Sequence, residues 1–169
     1  MTITIAEIGW NHCGDMDLAK NMATKAMESG ATYAKYQTWS TKRLKPGSWD
    51  TDGRREIYEK AELTFEKHKI LIDHCNKIGI KFLSSVFSIS DAELLKKLGC
   101  NEVKIPSFES RNLNLINYCS ENFDVIYMST GTSTLQEIKA VMSDVNKEKF
   151  YLLHCVSSYP TPMDQVQIL

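Results

Sequence analysis

Two lysines lie in stretches of sequence that otherwise have the composition of buried β-strands. Lys35 is two residues from Gln37, so that both side chains share one face of a predicted strand, and Lys104 lies inside another apolar run. A lysine in a strand is usually at an edge or extends its ammonium to water, whereas buried parallel strands are normally apolar. Two ammonium groups at the same end of a parallel sheet favour an anion site, most simply for a phosphate or a carboxylate.

Small hydroxyl residues follow the predicted strands in the same way. Many such residues act in turns or helix caps, and we interpret Ser133 as one of these. Ser129, Thr130 and Gly131 form a strand-to-helix turn, which would offer hydroxyls and free backbone N–H groups to phosphate oxygens. The hydroxyl residues at predicted strand ends are Ser84, Ser85, Ser107, Ser129, Thr130, Ser157 and Ser158.

Two acidic residues and one histidine, His12, complete the set of candidates. Glu7 lies in the first predicted strand, where a carboxylate is costly unless it is paired, hydrogen-bonded or near a metal. Glu109 follows the fourth strand and His12 the first, so both are expected at the same end of the sheet. We interpret His154 as a hydrogen-bonded core histidine, and we predict no function for His68, which lies in a helix.

Six predicted strands alternate with amphipathic helices that would position these side chains. Asp15 is the predicted N-cap of the first helix, and capping boxes are predicted at Ser90 with Glu93 and at Ser133 with Gln136. The segment between the second strand and its helix is interpreted only as a long polar stretch. The predicted strands cover residues 3–10, 32–38, 81–87, 102–107, 124–130 and 150–156.

This alternation predicts an α/β protein with a parallel sheet, either doubly wound or a (β/α)8 TIM barrel. No Gly-x-Gly-x-x-Gly follows a strand, and all six strands end in polar residues, so the barrel is favoured. Such a barrel typically needs about 250 residues, and this chain has 169. We therefore expect one partial TIM-barrel domain over residues 1–169, truncated after the sixth strand.

Composition excludes several classes of protein. The chain is 43% hydrophobic and 24% charged with a net charge of -1, so it is not a generic binder of nucleic acid or anionic membranes. It contains no apolar run long enough for a membrane span and no basic leader at its start, which predicts a cytoplasmic protein. Five widely spaced cysteines without Cys-x-x-Cys argue against a zinc site or a disulfide framework.

Six motifs occur in order at the ends of successive predicted strands, and together they resemble the sialic acid synthase family, which includes the legionaminic and pseudaminic acid synthases. Any one motif alone would be a weak signal. The motifs are Glu7-Ile8-Gly9-Trp10-Asn11-His12, Lys35-Tyr36-Gln37-Thr38, Phe82-Leu83-Ser84-Ser85-Val86-Phe87, Val103-Lys104-Ile105-Pro106-Ser107, Met128-Ser129-Thr130-Gly131, and Leu153-His154-Cys155 with Ser158-Tyr159-Pro160.

The resemblance implies an activity. Members of the family condense phosphoenolpyruvate with an N-acetylated amino-sugar aldehyde such as N-acetylmannosamine, giving a sialic-type (nonulosonic) acid and phosphate. A divalent metal, Mn²⁺ or Mg²⁺, polarises the aldehyde oxygen. The resemblance places the metal-binding histidines beyond Leu169, together with an antifreeze-like C-terminal domain that reaches across a dimer. It thus implies a homo-oligomer, with small-molecule substrates as partners and neither nucleic acid nor membrane.

The resemblance also implies roles for individual residues. Lys35 and Lys104 resemble the groups that clamp phosphoenolpyruvate, and Glu7 resembles a carboxylate that holds a metal-bound water. The candidate phosphoenolpyruvate contacts are Ser85, Ser107, Ser129, Thr130 and Ser157, and the candidate sugar contacts are Gln37, Glu109 and Tyr159.

Two other hypotheses remain open at this point. One is a Schiff-base aldolase on a similar barrel, with Lys35 or Lys104 as its nucleophile, which borohydride trapping with a keto acid would detect. The other is an inactive fragment that binds a phosphorylated ligand or assembles with another chain, because an open sheet leaves unpaired edges. We expect the 169 residues alone not to catalyse the synthase reaction.

Overall fold

Strands and helices alternate along the chain as predicted. A computed structural model describes residues 2–167. The elements are β1 (Ile5–Gly9), α1 (Met16–Glu28), β2 (Tyr33–Thr38), α2 (Arg54–Ala61), α3 (Phe65–Ile78), β3 (Lys81–Val86), α4 (Ile89–Lys97), β4 (Glu102–Ile105), α5 (Leu113–Asn122), β5 (Val125–Ser129), α6 (Leu135–Ser143) and β6 (Phe150–Leu153).

The chain divides into two compact units, one ending at Ser85 and the other starting at Val86. In the first unit β1, β2 and β3 are consecutive neighbours, and β1 pairs with β2 in parallel, with Ile5 opposite Tyr33. In the second unit β4, β5 and β6 are consecutive neighbours, and both pairings are parallel. The predicted α/β class with parallel strands is confirmed.

Each unit buries the apolar stripes of its helices against its strands. Because helix positions three or four apart lie on one face, Leu71 and Cys75 of α3 are both buried, and so are Leu115 and Cys119 of α5. Apolar residues of the first unit's core are Ile8, Ala19, Ala23, Ala34, Tyr36, Leu63, Leu71, Cys75 and Ile80. In the second unit the buried strand residues include Val103, Ile105, Ile126 and Met128.

The cysteines are free thiols, and two of them belong to the cores. Burial raises the pKa of Cys75 and of Cys119 to about 12, so both stay protonated and pack as small apolar residues. Among residues 2–167, no helix is both long enough and apolar enough to span a bilayer.

The sixth strand is shorter and more exposed than predicted. β6 ends at Leu153, and Tyr151 and Leu152 are 50% and 45% exposed. His154 follows the strand and is exposed, so the prediction of a core histidine is wrong. These residues are exposed because β6 is the last strand of the sheet within residues 2–167 and lacks a further neighbour there.

Helices α1, α4 and α6 each begin with a polar N-cap residue, as expected. In α4 and α6 the capping residue differs from the one predicted. Asp15 caps α1 as predicted, accepting from the backbone N–H groups of Asp17 and Leu18. The N-cap of α4 is Ser88, two residues before the predicted box, and that of α6 is Thr134, one residue after. Both predicted capping boxes are therefore misplaced, because several neighbouring hydroxyl residues satisfy the same pattern.

The polar stretch after β2 contains a helix, α2, that the sequence pattern does not reveal. The apolar side of Arg54–Ala61 is short, being formed by Ile57, Tyr58 and Ala61, and Arg54 forms an exposed ion pair of 2.6 Å with Asp52. Tyr58 anchors the helix, since its ring contacts those of Trp10 and Trp39 edge-on at centroid distances of 5.3 and 5.9 Å. Contacts between residues so distant in sequence leave no periodic signal.

Candidate functional site

Lys35 lies in the middle of a polar cluster on one face of the first unit's strands. Its side chain is almost completely buried. The ammonium forms an ion pair with the carboxylate of Glu7 in β1, and donates a hydrogen bond of 3.0 Å to Oγ of Ser85 in β3. Gln37, two residues along β2, shares the face of Lys35. We call Glu7, Lys35, Gln37 and Ser85 the Lys35 cluster.

A bulge in β1 places Gly9 close to both Glu7 and Gln37. The register passes from Glu7 opposite Lys35 to Gly9 opposite Tyr36, which leaves one extra residue in β1. Gly9 has a φ of +59°, which favours glycine. A Cβ at Gly9 would lie 3.3 Å from Glu7 Oε1 and 3.5 Å from Gln37 Nε2. Gly9 is a site residue that we did not predict, although a glycine within a predicted strand is the usual signal of a bulge.

His12 follows β1 and is buried. Burial lowers the pKa of His12, and the charge of Lys67 lowers it further, so the ring is neutral near pH 7. Its Nδ1 accepts a hydrogen bond of 3.1 Å from the backbone N–H of Gly14, which places the proton on Nε2. That nitrogen is buried without a hydrogen-bond partner within residues 2–167. His12 therefore contributes packing and no charge.

In the second unit, Lys104 begins a row of side chains that crosses three strands. The register places Lys104 opposite Tyr127 of β5, and Tyr127 opposite Tyr151 of β6. The two tyrosine rings stack with their centroids 5.4 Å apart. Ser129 lies two residues beyond Tyr127, on the same face, and is buried. The structure thus places Lys104 and Ser129 on one face of the second unit's strands.

The turn after β5 does not offer the free backbone donors that we predicted. The backbone N–H and the hydroxyl of Thr130 both donate to the carbonyl of Leu153, at 3.1 and 3.0 Å. The N–H of Gly131 donates to Oγ of Ser107 at 3.2 Å. The prediction of free N–H groups is therefore wrong for these two residues, because both N–H groups form hydrogen bonds to neighbouring segments of the protein.

Gly131 allows three segments of the second unit to meet. A Cβ on this residue would lie 2.8 Å from both the carbonyl oxygen of Cys155 and Oγ of Ser157. Glycine is required here for space, and Ser107 and Ser157 consequently both lie against Gly131. We call Ser107, Thr130, Gly131 and Ser157 the Ser107 cluster. The close approach was not predictable, because the hydroxyl pattern alone does not specify which backbone segments touch.

The remaining predicted sugar contacts lie apart from these hydrogen bonds. Glu109 ends the short 3₁₀ turn Ser107–Glu109, and its carboxylate accepts a hydrogen bond of 2.7 Å from Asn112 Nδ2 at the start of α5. Tyr159 is 98% exposed and precedes a cis peptide bond to Pro160. Within residues 2–167, neither side chain is hydrogen-bonded to the Ser107 cluster.

An ammonium flanked by hydroxyls is suited to binding an anion. Lys35 with Ser85 supplies this arrangement in the first unit, and Lys104 lies on the face of Ser129 in the second. Within residues 2–167, no three side chains of His, Cys, Asp or Glu come together as a metal site. The described residues therefore do not fit a divalent metal by themselves, and no chemical step is assigned to one.

The fold defines a TIM-barrel-type α/β protein, and its parallel strands carry lysine and hydroxyl side chains. A family model described as the NeuB family matches residues 22–169. The chain belongs to the NeuB family.

The curated relatives and the solved structures agree with this assignment. The N,N'-diacetyllegionaminic acid synthase of Campylobacter jejuni is 34% identical over 99% of this chain and 55% of its own length. The pseudaminic acid synthase of Helicobacter pylori is 33% identical over 98% of this chain and 53% of its own. A crystal structure of the N-acetylneuraminic acid (sialic acid) synthetase of Leptospira borgpetersenii, in complex with citrate, matches 96% of this chain and 56% of that one, with a TM-score of 0.84 and 29% identity.

The predicted resemblance and the predicted barrel-type fold are both confirmed. The chain spans about half the length of the curated relatives that it matches. The comparisons therefore identify the family and the fold of the described units.

Proposed function

We propose that this chain carries the phosphoenolpyruvate-binding residues of a nonulosonic acid synthase. The reaction joins phosphoenolpyruvate, an N-acetylated amino-sugar aldehyde such as N-acetylmannosamine, and water. The methylene carbon of phosphoenolpyruvate forms a bond to the aldehyde carbon, whose oxygen takes a proton. Water adds to the resulting oxocarbenium carbon and loses its protons. The tetrahedral intermediate then breaks its carbon–oxygen bond to phosphate, leaving a 2-keto acid.

The observation that carries the proposal is the environment of Lys35. Its ammonium is buried in a strand, where a charge is costly, and it is held by Glu7 and Ser85. Such an ammonium beside a hydroxyl suits a phosphate or carboxylate oxygen through charge-assisted hydrogen bonds. The family membership and the relatives' names as acid synthases support the same reaction class.

For the second unit, we propose Lys104 and Ser129 as phosphoenolpyruvate-binding residues, with Ser107 and Ser157 as further contacts. Thr130 uses both its N–H and its hydroxyl within the protein, and Gly131 uses its N–H, so we propose serine hydroxyls and the Lys104 ammonium as the ligand contacts there. Gln37, Glu109 and Tyr159 are proposed to contact the amino sugar. A divalent metal, a homo-oligomeric state and a cytoplasmic location remain predictions for the whole protein.

Titration calorimetry with phosphoenolpyruvate tests the proposal. Each charge-assisted hydrogen bond to phosphate contributes roughly 1.5–3 kcal/mol, so Lys35→Ala and Lys104→Ala should each weaken binding by about tenfold or more. The matched control is Lys97→Ala, since Lys97 is an exposed lysine in the last turn of α4. Unchanged affinity in both strand variants, or equal losses in all three, would refute the assignment.

The alternative hypothesis of a Schiff-base aldolase requires a neutral lysine amine. An imine forms from a neutral amine, whereas Lys35 is engaged as an ammonium by Glu7 and Ser85. We therefore expect no covalent adduct after incubation with pyruvate and borohydride, as measured by intact mass. A stable adduct on Lys35 or Lys104 would replace the synthase proposal with an aldolase.

A further inference from the structure

The helix-facing side of the first unit's strands carries a buried polar chain that the candidate site does not include. His68 of α3, Thr38 of β2 and Ser84 of β3 are all about 1% exposed or less. The distance from His68 Nδ1 to the carbonyl oxygen of Thr64 is 2.9 Å. The distance from His68 Nε2 to Thr38 Oγ1 is 2.8 Å, and that from Thr38 Oγ1 to Ser84 Oγ is 2.7 Å.

The Thr64 carbonyl and the neutral ring of His68 together determine the direction of each hydrogen bond among His68, Thr38 and Ser84. The carbonyl of Thr64 can only accept, so Nδ1 of His68 carries a proton and donates it. Burial lowers the pKa of His68, so the ring is neutral and Nε2 accepts. The hydroxyl of Thr38 must then donate to Nε2, and its oxygen accepts from the hydroxyl of Ser84. Loss of one member leaves a buried polar group without a partner, which is costly.

The polar chain lies directly behind the Lys35 cluster. Successive residues of a strand point to opposite faces, so Ser84 faces α3 while Ser85 faces Lys35. Thr38 is likewise adjacent to Gln37 in β2. Each residue fixed by the polar chain thus neighbours a residue of the Lys35 cluster along the same strand.

We propose that His68 is a positioning residue that, through Thr38 and Ser84, holds Ser85 within hydrogen-bonding distance of Lys35. As a role in ligand binding, this inference rests on the proposed function of the Lys35 cluster. The sequence alone predicted no function for His68, and this proposal gives it one. A binding site needs supporting residues that fix the positions of its ligand-binding side chains, because small displacements of a binding group lower the affinity.

A second histidine of helix α3, His74, provides a matched control for this experiment. His74 of α3 lies 3.0 Å through Nε2 from Oγ1 of Thr24 in α1, and Thr24 also donates to the carbonyl of Lys20. This second Thr–His contact joins two helices and includes no strand residue. Thr24→Val therefore removes a comparable hydroxyl without disturbing the strands, while Thr38→Val breaks the polar chain and Thr38→Ser retains it.

The first measurement does not depend on any ligand. Competitive acetylation followed by mass spectrometry of peptides reports how well the Lys35 amine is held, at a temperature where circular dichroism shows every variant folded. We expect Thr38→Val to raise the reactivity of Lys35 severalfold, and Thr24→Val and Thr38→Ser to leave it within about twofold of the unmodified chain. Unchanged reactivity in Thr38→Val, or an equal rise in Thr24→Val, would show that the polar chain only stabilises the fold.

The second measurement is titration calorimetry with phosphoenolpyruvate on the same variants. Thr38→Val should weaken binding by about tenfold, the effect of losing one well-placed hydrogen bond to a charged group, while the other two variants bind as before. If the unmodified chain does not bind phosphoenolpyruvate, the proposed function fails and the Lys35 reactivity alone decides the positioning role. If it binds and Thr38→Val binds equally well, the positioning role is wrong and the proposed function stands.

Discussion

A buried ammonium needs a countercharge, and in this protein Glu7 supplies one to Lys35. The side chain of Glu7 is 53% exposed, so water reaches one partner of the ion pair while the other is buried. This arrangement suits a group that exchanges partners, since an arriving anion can share the ammonium without a fully buried pair having to be broken. It gives Glu7 a role that the residue types alone did not indicate.

Neutralising Glu7 should lower the stability of the protein and strengthen its binding of anions. Glu7→Gln removes the countercharge of Lys35, so the free energy of unfolding should fall by about 1 kcal/mol, the modest value expected of a half-exposed pair. The same change removes a negative charge beside a candidate anion site, so phosphate and phosphoenolpyruvate should bind a few times more tightly at low salt. Urea unfolding and calorimetry measure the two effects. Weaker anion binding in Glu7→Gln would contradict the view of Glu7 as a competing countercharge.

Acid should destabilise the protein partly through His68. Burial lowers the pKa of His68, so the folded state favours the neutral ring. Such a histidine contributes stability that is present above its unfolded pKa of about 6.5 and is lost as the pH falls through the folded pKa. The free energy of unfolding should therefore decrease below about pH 6.5, and less steeply in His68→Gln. Urea unfolding across this range tests the expectation, and parallel pH profiles for the two proteins would contradict it.

How far the sequence predicts the site depends on the kind of contact. Lys35 and Ser85 were predictable, because strand alternation and the common end of parallel strands place them together. The ion pair of Glu7 was not, since the sequence does not specify the register of β1 against β2 that places Glu7 opposite Lys35. The approach of Ser157 to Gly131 was not predictable either, because it joins segments that no periodic pattern links.

At the scale of elements, periodicity predicts strands and buried helices well and predicts polar helices poorly. All six strands were found, since their apolar runs differ sharply from the flanking residues. The helix α2 was missed, because its apolar side is short and the helix also depends on contacts of Tyr58 with two tryptophans and on local ion pairs. The predicted helix starts differ from the observed ones where hydroxyl residues cluster, as at α4.

The start of α4 provides a direct comparison of two serines. Ser88 Oγ accepts from the backbone N–H of Asp91, whereas Ser90 lies exposed within the helix. Ser88→Ala should lower the free energy of unfolding by about 1 kcal/mol, as expected for the loss of an N-cap. Ser90→Ala should be neutral or slightly stabilising, because alanine has the higher helix propensity. Urea denaturation of both variants decides between the two starts, and a larger loss in Ser90→Ala would restore the predicted capping box.

At the scale of the whole molecule, the two compact units share one building plan. Each consists of parallel strands covered by helices, and each has a strand lysine with a serine on the same face. The sequence predicted this repetition because βα units carry their own periodic signal. It could not predict the division at Ser85, since that depends on how densely each part packs within itself.

The edge of the second unit should govern association of the 169-residue chain. Within residues 2–167, β6 is the last strand of the sheet, and its Tyr151 and Leu152 point to opposite faces while each remains about half exposed. An apolar strand with an unpaired edge is a template for pairing with a second copy. We therefore expect sedimentation velocity to show association that increases with protein concentration. Leu152→Lys should weaken it, because charges on an edge strand oppose pairing. Leu135→Lys, at a 66% exposed position in α6, is the control for added charge and should leave association unchanged. A chain that stays monomeric at all concentrations, or one that responds equally to both substitutions, would show that β6 is not the contact.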